Sequence, residues 1–317
     1  DHSQSATYTQ TLLKEIEIVS SLVGKTNRLN VSQIHFGGGS PNFFQPNEIS
    51  AIIQSVRERF VVTSNAEIAI EINPRRCLER FYENLAREGF NRISLGIQDF
   101  DENVQRLINR HQTFEATRDA IQFLRSLRFE HFNFDLICGL PGQTVNSFLD
   151  TLKKVLTLSP SRIATYAYAH VPWVFPVQRS FDEKDLPSTE TRIAIFGQTH
   201  DLLTQHGYVP IGMDHFAKPE DELAVAQRQG RLIRNFQGYS AGVDADLVGL
   251  GVSAIGAIGP TYSQNHRELD KYYGCLDRGQ LPIMRGIELT ADDLLRRAVI
   301  QGLMCHFEIS KETIEAS

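Results

Sequence analysis

The sequence predicts an α/β fold: a partial, open (β/α) TIM-like barrel, with extra loops and helices after the barrel. Three observations predict it. Strand-like and helix-like segments alternate through most of the 317 residues, the pattern of a parallel sheet with right-handed crossovers. The strand-like segments are short runs of apolar and β-branched residues. Chemistry-bearing residues recur where those runs end, and a parallel barrel carries its ligands at the C-terminal ends of its strands. A doubly wound sheet is the alternative architecture for the same alternation.

The strand-like runs are VSQIHF (31–36), AEIAIEI (66–72), NRISLGI (91–97), FNFDLIC (132–138), RIATYAYAH (162–170) and GYVPIGM (207–213). Amphipathic helices lie between them. Leu12, Ile16, Val19 and Val23 make one apolar stripe. Ile49, Ile52, Ile53, Val56 and Phe60 make a second, at the i, i+3, i+4, i+7 spacing of one helix face. Phe148, Leu152, Val155 and Leu156 make a third, with Thr144 as N-cap. Ser188 caps a helix that ends near Gly207. From about residue 230 the chain turns rich in glycine and small residues, which reads as loops and short strands. Thr290 and Asp293 then form a capping box ahead of the helix LLRRAVIQGLMC, and KETIEAS reads as a further helix. The expected division is 1–230 for the barrel core, 231–288 for loops and short strands covering it, and 289–317 for the start of a truncated helical domain.

Hydrophobic residues at 41% and charged residues at 22% fit a globular protein with a large core. The net charge is −6 and no long Lys/Arg run occurs, so a basic nucleic-acid footprint is absent. No apolar run approaches the ~18 residues of a membrane span, and DHSQSATYTQ holds no signal-peptide core. Cys77, Cys138, Cys275 and Cys305 are far apart in sequence. That spacing argues against a disulfide scaffold and for a reducing, cytosolic setting. It offers no local cluster for zinc or iron–sulfur, and buried small hydrophobes are the plain reading.

Each strand end supplies something. The first gives GGGSP (37–41), the second Glu71, the third Gln98 followed by Asp99, the fourth Asp135, and the fifth Tyr168, Ala169 and His170. Singly, each has an ordinary explanation: a tight turn started by Pro41, helix caps or ion pairs at Glu71 and Asp135, a core histidine at His170. Together, two carboxylates and an amide beside bare backbone suit a ribose diol and an ammonium group. Arg110, on an expected short helix after the third strand, is either a surface arginine or the bidentate partner of a carboxylate. An amino acid joined to a nucleoside uses all these groups at once, and S-adenosylmethionine is that molecule.

The order of IHFGGGSP, IEINP, ISLGIQDFDENVQRLINRHQ, FDLICGLPGQT and YAYAHVP resembles the radical S-adenosylmethionine (SAM) enzymes of porphyrin metabolism. IGMDHFAKPEDELAVAQRQGRLIRNFQGYS and DLVGLGVSAIG narrow the resemblance to the oxygen-independent coproporphyrinogen III oxidase family, across nearly the whole chain. The resemblance implies a radical SAM barrel. It also implies cofactor contacts at Gly38, Gly39, Ser40, Glu71, Gln98, Arg110, Asp135 and Ala169, with Ile255 and Gln237 at the mouth. Within it, the glycine turn takes the methionyl amino group, Arg110 the carboxylate, and Gln98 and Asp135 the ribose. It implies oxidative decarboxylation of two propionates of coproporphyrinogen III to vinyl groups, giving protoporphyrinogen IX in haem biosynthesis, with an electron donor and an acceptor. A monomer is expected, with neither a nucleic-acid partner nor a membrane span. A haem chaperone of the same superfamily is the alternative.

Arg228, Arg231, Arg234 and Arg179 are candidates for the substrate carboxylates, or else solvated surface groups. The sequence departs from the family in lacking the CxxxCxxC loop that holds its 4Fe–4S cluster; by motif position that loop falls just before Asp1. This chain alone is therefore expected to be inactive. Ser40 and Asn42 stand where the family more often has threonines.

Overall fold

The computed structural model describes residues 3–23, 28–76, 78–241 and 245–312. Its elements begin α1 (Ser3–Val23), β1 (Asn30–Phe36), α2 (Pro46–Arg59), β2 (Val61–Ile72), α3 (Glu79–Arg87), β3 (Arg92–Gln98), α4 (Glu102–Leu107), α5 (Phe114–Ser126), β4 (His131–Cys138), α6 (Val145–Leu158) and β5 (Arg162–Ala167). They continue α7 (Thr189–Gln205), β6 (Val209–Ile211), β7 (His215–Ala217), α8 (Glu222–Arg228), β8 (Ile233–Asn235), β9 (Gly238–Ser240), β10 (Ile255–Ile258), β11 (Thr261–Asn265), α9 (Leu269–Asp277), β12 (Ile283–Glu288) and α10 (Ala291–His306).

Seven strands form one sheet in the order β1-β2-β3-β4-β5-β7-β6. Where register is defined, β2 to β5 run parallel, in the open (β/α) barrel the sequence predicts. The pleat sorts the residues of β4. Phe132, Phe134, Leu136 and Cys138 are buried, and Asn133 and Asp135 alternate with them on the other face. Ile93, Leu95 and Ile97 of β3 join the apolar layer, as do Ile121 and Leu124 of α5 and Phe148, Leu152 and Val155 of α6. Burying a side chain of this kind contributes about 1.5–3 kcal/mol.

The polar face has its own order. Asp221 takes the Nε of Arg162 at 2.8 Å and lies 3.7 Å from Arg92, so two buried guanidinium groups share one buried carboxylate near the N-terminal ends of β3 and β5.

The chain divides into two compact units, Asp1–His35 with Phe43–Ile68 and Ala226–Ser317, and Phe36–Asn42 with Ala69–Val225. In the first, Glu15 of α1 is buried and accepts from the backbone N–H of Gly251, Asn265 Nδ2 and the Tyr272 hydroxyl, at 2.7, 2.7 and 2.6 Å. Three donors on one carboxylate tie α1 to the 251 turn, β11 and α9. This unit also holds an antiparallel sheet, β10-β11-β12.

The caps fall where expected, on Thr144, Ser188 and Thr290. Four expectations need correction. The run 207–213 yields only β6, which pairs with β7; β7 lies beside β5 and runs antiparallel to it. A turn at Gly212–Asp214 makes a hairpin where a single strand was expected. The fifth strand stops at Ala167, so Ala169 lies in the loop beyond it. Arg110 is not on a helix: α4 ends at Leu107, and Asn109 adopts φ 51°. Arg110 N–H then reaches back to the Gln105 carbonyl at 2.8 Å, a helix-ending turn that asparagine tolerates. Leu269–Asp277 is a helix where only loops and strands were expected. Cys77 and the KETIEAS stretch after Glu312 lie outside the described residues.

Candidate functional site

The GGGSP turn follows β1. Gly38 and Gly39 have φ of 74° and 65°, the left-handed region, and no atom lies within 4 Å of where a Cβ would stand. Gly38 donates its N–H to Glu71 Oε2 at 3.2 Å, and Ser40 is exposed. The turn is pinned through Asn42. Its side-chain amide accepts from the Asn73 N–H and donates to the Asn73 carbonyl, both at 3.1 Å. A threonine hydroxyl donates and accepts through one atom, whereas Asn42 presents its donor and acceptor on two atoms, matched to the Asn73 carbonyl and N–H.

Asp135 stands on the polar face of β4. Ser94 Oγ donates to one of its oxygens at 3.0 Å and Asn133 Nδ2 to the other at 3.0 Å. Burial lifts the Asp135 carboxyl above the usual carboxylate range. The Ser94 hydrogen bond opposes the lift, the Glu71 charge adds to it, and His215 and Asn133 oppose it. Asn133 Oδ1 is buried and has no hydrogen-bond partner among the described residues. His215 itself, on β7, lies 2.7 Å from Asp214 and edge-on to the Tyr166 ring.

Gln98 ends β3 with φ of 68°, and Asp99 N–H bonds back to the Ile97 carbonyl at 2.9 Å. That is a tight γ-type turn at a non-glycine residue, coupled to a bulge against β4. The turn is held from behind by Asp99, which is fully buried and accepts from Thr151 Oγ1, Gln143 Nε2 and Asp101 N–H at 2.5, 2.6 and 2.8 Å.

Arg110 returns to the same place. Its Nη2 donates to the Gly96 carbonyl and lies 3.4 Å from Gln112 Oε1, while its Nε is buried without a partner among the described residues. Among the described residues no carboxylate pairs with this guanidinium. Burial and then the Arg75 charge hold its pKa down to about 10. A methyl group on Gly96 would sit 2.8 Å from Gln98 Nε2 and 3.2 Å from Arg110 Nη2. Glycine there leaves room for both side chains.

Contacts therefore run from Gly38 to Glu71, and from Ser94 to Asp135. Glu71 pairs in register with Ser94, and Asp135 with Gly96, where Gln98 and Arg110 meet. Ala169 shares this compact unit, and its carbonyl accepts from Gln178 Nε2 at 3.1 Å. Arg179 shares the unit too, exposed, with Nε on the Pro172 carbonyl at 3.1 Å. Ile255, Gln237, Arg228, Arg231 and Arg234 belong to the other unit. Ile255 opens β10, Gln237 sits in the exposed turn after β8, and Arg234 lies over the Tyr239 ring at 4.6 Å.

Ser94 and Asn133 were not singled out by sequence, although the signal was present, as polar residues at alternate positions of otherwise apolar strands; Asp99 was noted beside Gln98, but not as the residue that holds its turn. Among the described residues no three His, Cys, Asp or Glu side chains gather to hold a metal ion, and no helix is long and apolar enough to cross a membrane.

Residues 9–155 match the radical SAM superfamily. The chain is 48% identical over 286 residues to the oxygen-independent coproporphyrinogen III oxidase of Escherichia coli K12, covering 90% of this chain and 63% of that protein. It is 45% identical over 317 residues to the protein of that name from Pseudomonas aeruginosa, covering 99% of this chain and 68% of that one. The solved structure of the E. coli coproporphyrinogen III oxidase, described as a radical SAM enzyme, superposes with a TM-score of 0.95 at 45% identity, over 100% of this chain and 72% of that one. The chain thus spans about two thirds of the length of the curated relatives it matches. A left-handed glycine turn, two neighbouring carboxylates and a guanidinium with no carboxylate partner among the described residues accompany that likeness, and the chain belongs to the oxygen-independent coproporphyrinogen III oxidase family of the radical SAM superfamily.

Proposed function

We propose that the rim formed by Gly38, Gly39, Ser40, Glu71, Gln98, Arg110 and Asp135 binds S-adenosylmethionine. In this reading the chain is the catalytic core of an enzyme that decarboxylates two propionates of coproporphyrinogen III to vinyl groups. The observation that carries the proposal is Arg110: a buried guanidinium nitrogen with no partner, and no carboxylate beside it, among the described residues. A cation held in that state is satisfied by an anionic ligand, and a planar carboxylate fits it best.

The donor set suits the rest of the cofactor. The glycine turn offers backbone without side-chain obstruction to the amino group. Gln98 and Asp135 offer an amide and a carboxylate to the ribose hydroxyls, and Asn133 Oδ1 is a further acceptor with no partner among the described residues. Ala169, in the same compact unit, completes the proposed cofactor contacts, with Arg179 toward the substrate. Bound there, the cofactor and its 4Fe–4S cluster supply the hydrogen-abstracting radical chemistry. The chain's own groups bind and orient: Arg110 fixes the methionyl end, Asp135 and Gln98 the nucleoside, and the strained turn at Gln98 is locked by Asp99 before ligand arrives. Each propionate loses one hydrogen atom, carbon dioxide and one electron as the vinyl group forms, the electron passing to an acceptor.

None of the four cysteines has the CxxxCxxC spacing of the family's cluster loop. The test is anaerobic turnover by a chain comprising these residues together with such a loop, reconstituted with iron and sulfide. Formation of protoporphyrinogen IX that depends on S-adenosylmethionine supports the proposal. Stoichiometric haem binding without decarboxylation overturns it in favour of a carrier.

A further inference from the structure

The segment after β5 is built in an unusual way. Trp173, Val174, Phe175 and Val177 are 72%, 58%, 53% and 76% exposed, four large apolar side chains within five residues. Such a cluster costs solubility and marks a surface kept for a partner. The segment is nevertheless well ordered at its base. Gln178 donates to the Ala169 carbonyl at 3.1 Å and accepts from the Val171 N–H at 2.6 Å, copying a strand partner across the neck. The rings of Tyr168, His170 and Phe181 pack beneath, with centroids 5.5–6.2 Å apart. At the tip, the N–H groups of Val174 and Phe175 both bond the Val171 carbonyl. The apolar tip is thus displayed on a stapled stem, and its ordering cost is met before any partner binds.

The loop also carries a directed charge. Arg179 Nε donates to the Pro172 carbonyl at 3.1 Å, which fixes the plane of an exposed guanidinium, and its Nη groups make no hydrogen bond among the described residues. The neck starts at Ala169, in the loop just past the C-terminal end of β5, the strand that pairs with β4 of the proposed rim, where Asp135 lies opposite Ala164. Apolar rings and one oriented guanidinium, contiguous with that rim, match a flat apolar macrocycle bearing carboxylates.

We infer that residues 171–179 are the macrocycle-binding wall of the substrate site, with Trp173 and Phe175 against a face of the tetrapyrrole and Arg179 on one of its propionates. The inference rests on the proposed reading of the rim and adds where its substrate sits.

Trp173 is the only tryptophan in the sequence, so replacing it biosynthetically with 5-fluorotryptophan gives one fluorine resonance from the tip of this loop. The probe is coproporphyrin III, the stable aromatic form of the substrate, titrated into the whole protein while porphyrin anisotropy reports binding. The expected result is a saturable upfield ring-current shift of the single resonance. Phe175→Ser and Arg179→Ala each weaken porphyrin binding and raise KM for coproporphyrinogen III about tenfold, with affinity for S-adenosylmethionine unchanged. An unmoved resonance while porphyrin binds overturns the inference. So does a resonance that moves only with anionic lipid vesicles or with protein concentration, which would give the loop to a membrane or to a second copy. If turnover proceeds and KM is unchanged in both variants, the wall is elsewhere and the reading of the rim stands. If the parent neither binds S-adenosylmethionine nor turns over, the rim reading has failed and takes this inference with it.

Discussion

Replacing Arg110 by alanine separates binding from folding. In the free chain this guanidinium gains the Gly96 carbonyl, a hydrogen bond that contributes about 1 kcal/mol. Against that, burial holds its pKa down to about 10. Discounted for the part that water still reaches, keeping the cation there costs about 1–2 kcal/mol. The two effects nearly cancel, so Arg110→Ala is expected to change the stability of the ligand-free chain by no more than about 1 kcal/mol. Binding is different. A partly buried guanidinium–carboxylate pair broken on one side costs about 2–4 kcal/mol, a loss of roughly 30- to 1,000-fold in affinity. Urea denaturation of the free chain and calorimetric titration with S-adenosylmethionine measure the two quantities. Arg110→Lys keeps the charge but not the planar fork, and falls between. A variant that is strongly destabilised yet binds the cofactor as tightly as the parent would show that Arg110 is a structural arginine.

Three further outcomes are expected. Gly96→Ala pushes only on the flexible ends of Gln98 and Arg110; stability changes little and cofactor affinity falls about tenfold, read by thermal melting and calorimetry. Asp135 has a raised pKa, so its ionised form is disfavoured by folding. Its contribution to stability is therefore full below its unfolded pKa and lost as pH rises through the folded one. Asp135→Asn should be at least as stable as the parent at neutral pH. Cofactor affinity, which needs the carboxylate, should fall on acidification from above the ordinary carboxylate range in the parent, with that dependence gone in the variant. Glu15→Ala strands three donors, Gly251 N–H, Asn265 and Tyr272, and is expected to cost about 3–5 kcal/mol in urea denaturation.

Period and punctuation were readable in the sequence. FNFDLIC shows its polar face by alternation, and Thr144, Ser188 and Thr290 cap the helices that follow them. What escaped depends on backbone states that residue type does not force. Gln98 adopts a left-handed turn that glycine would ordinarily mark, because Asp99 is locked by Thr151 and Gln143 from distant segments. The hairpin at β6 and β7 turns on the tertiary choice of which short strand meets β5. Arg110 left its expected helix at Asn109, a residue type that favours this turn and was visible in NRHQ. Recognising Arg110 as a waiting cation took coordinates, since it rests on Nε having no partner among the described residues.

The most direct measurement compares S-adenosylmethionine with its decarboxylated analogue on the unaltered chain by calorimetry. If the unpaired guanidinium waits for the methionyl carboxylate, removing that carboxylate weakens binding by at least about tenfold. Equal affinity for the two ligands would contradict the account.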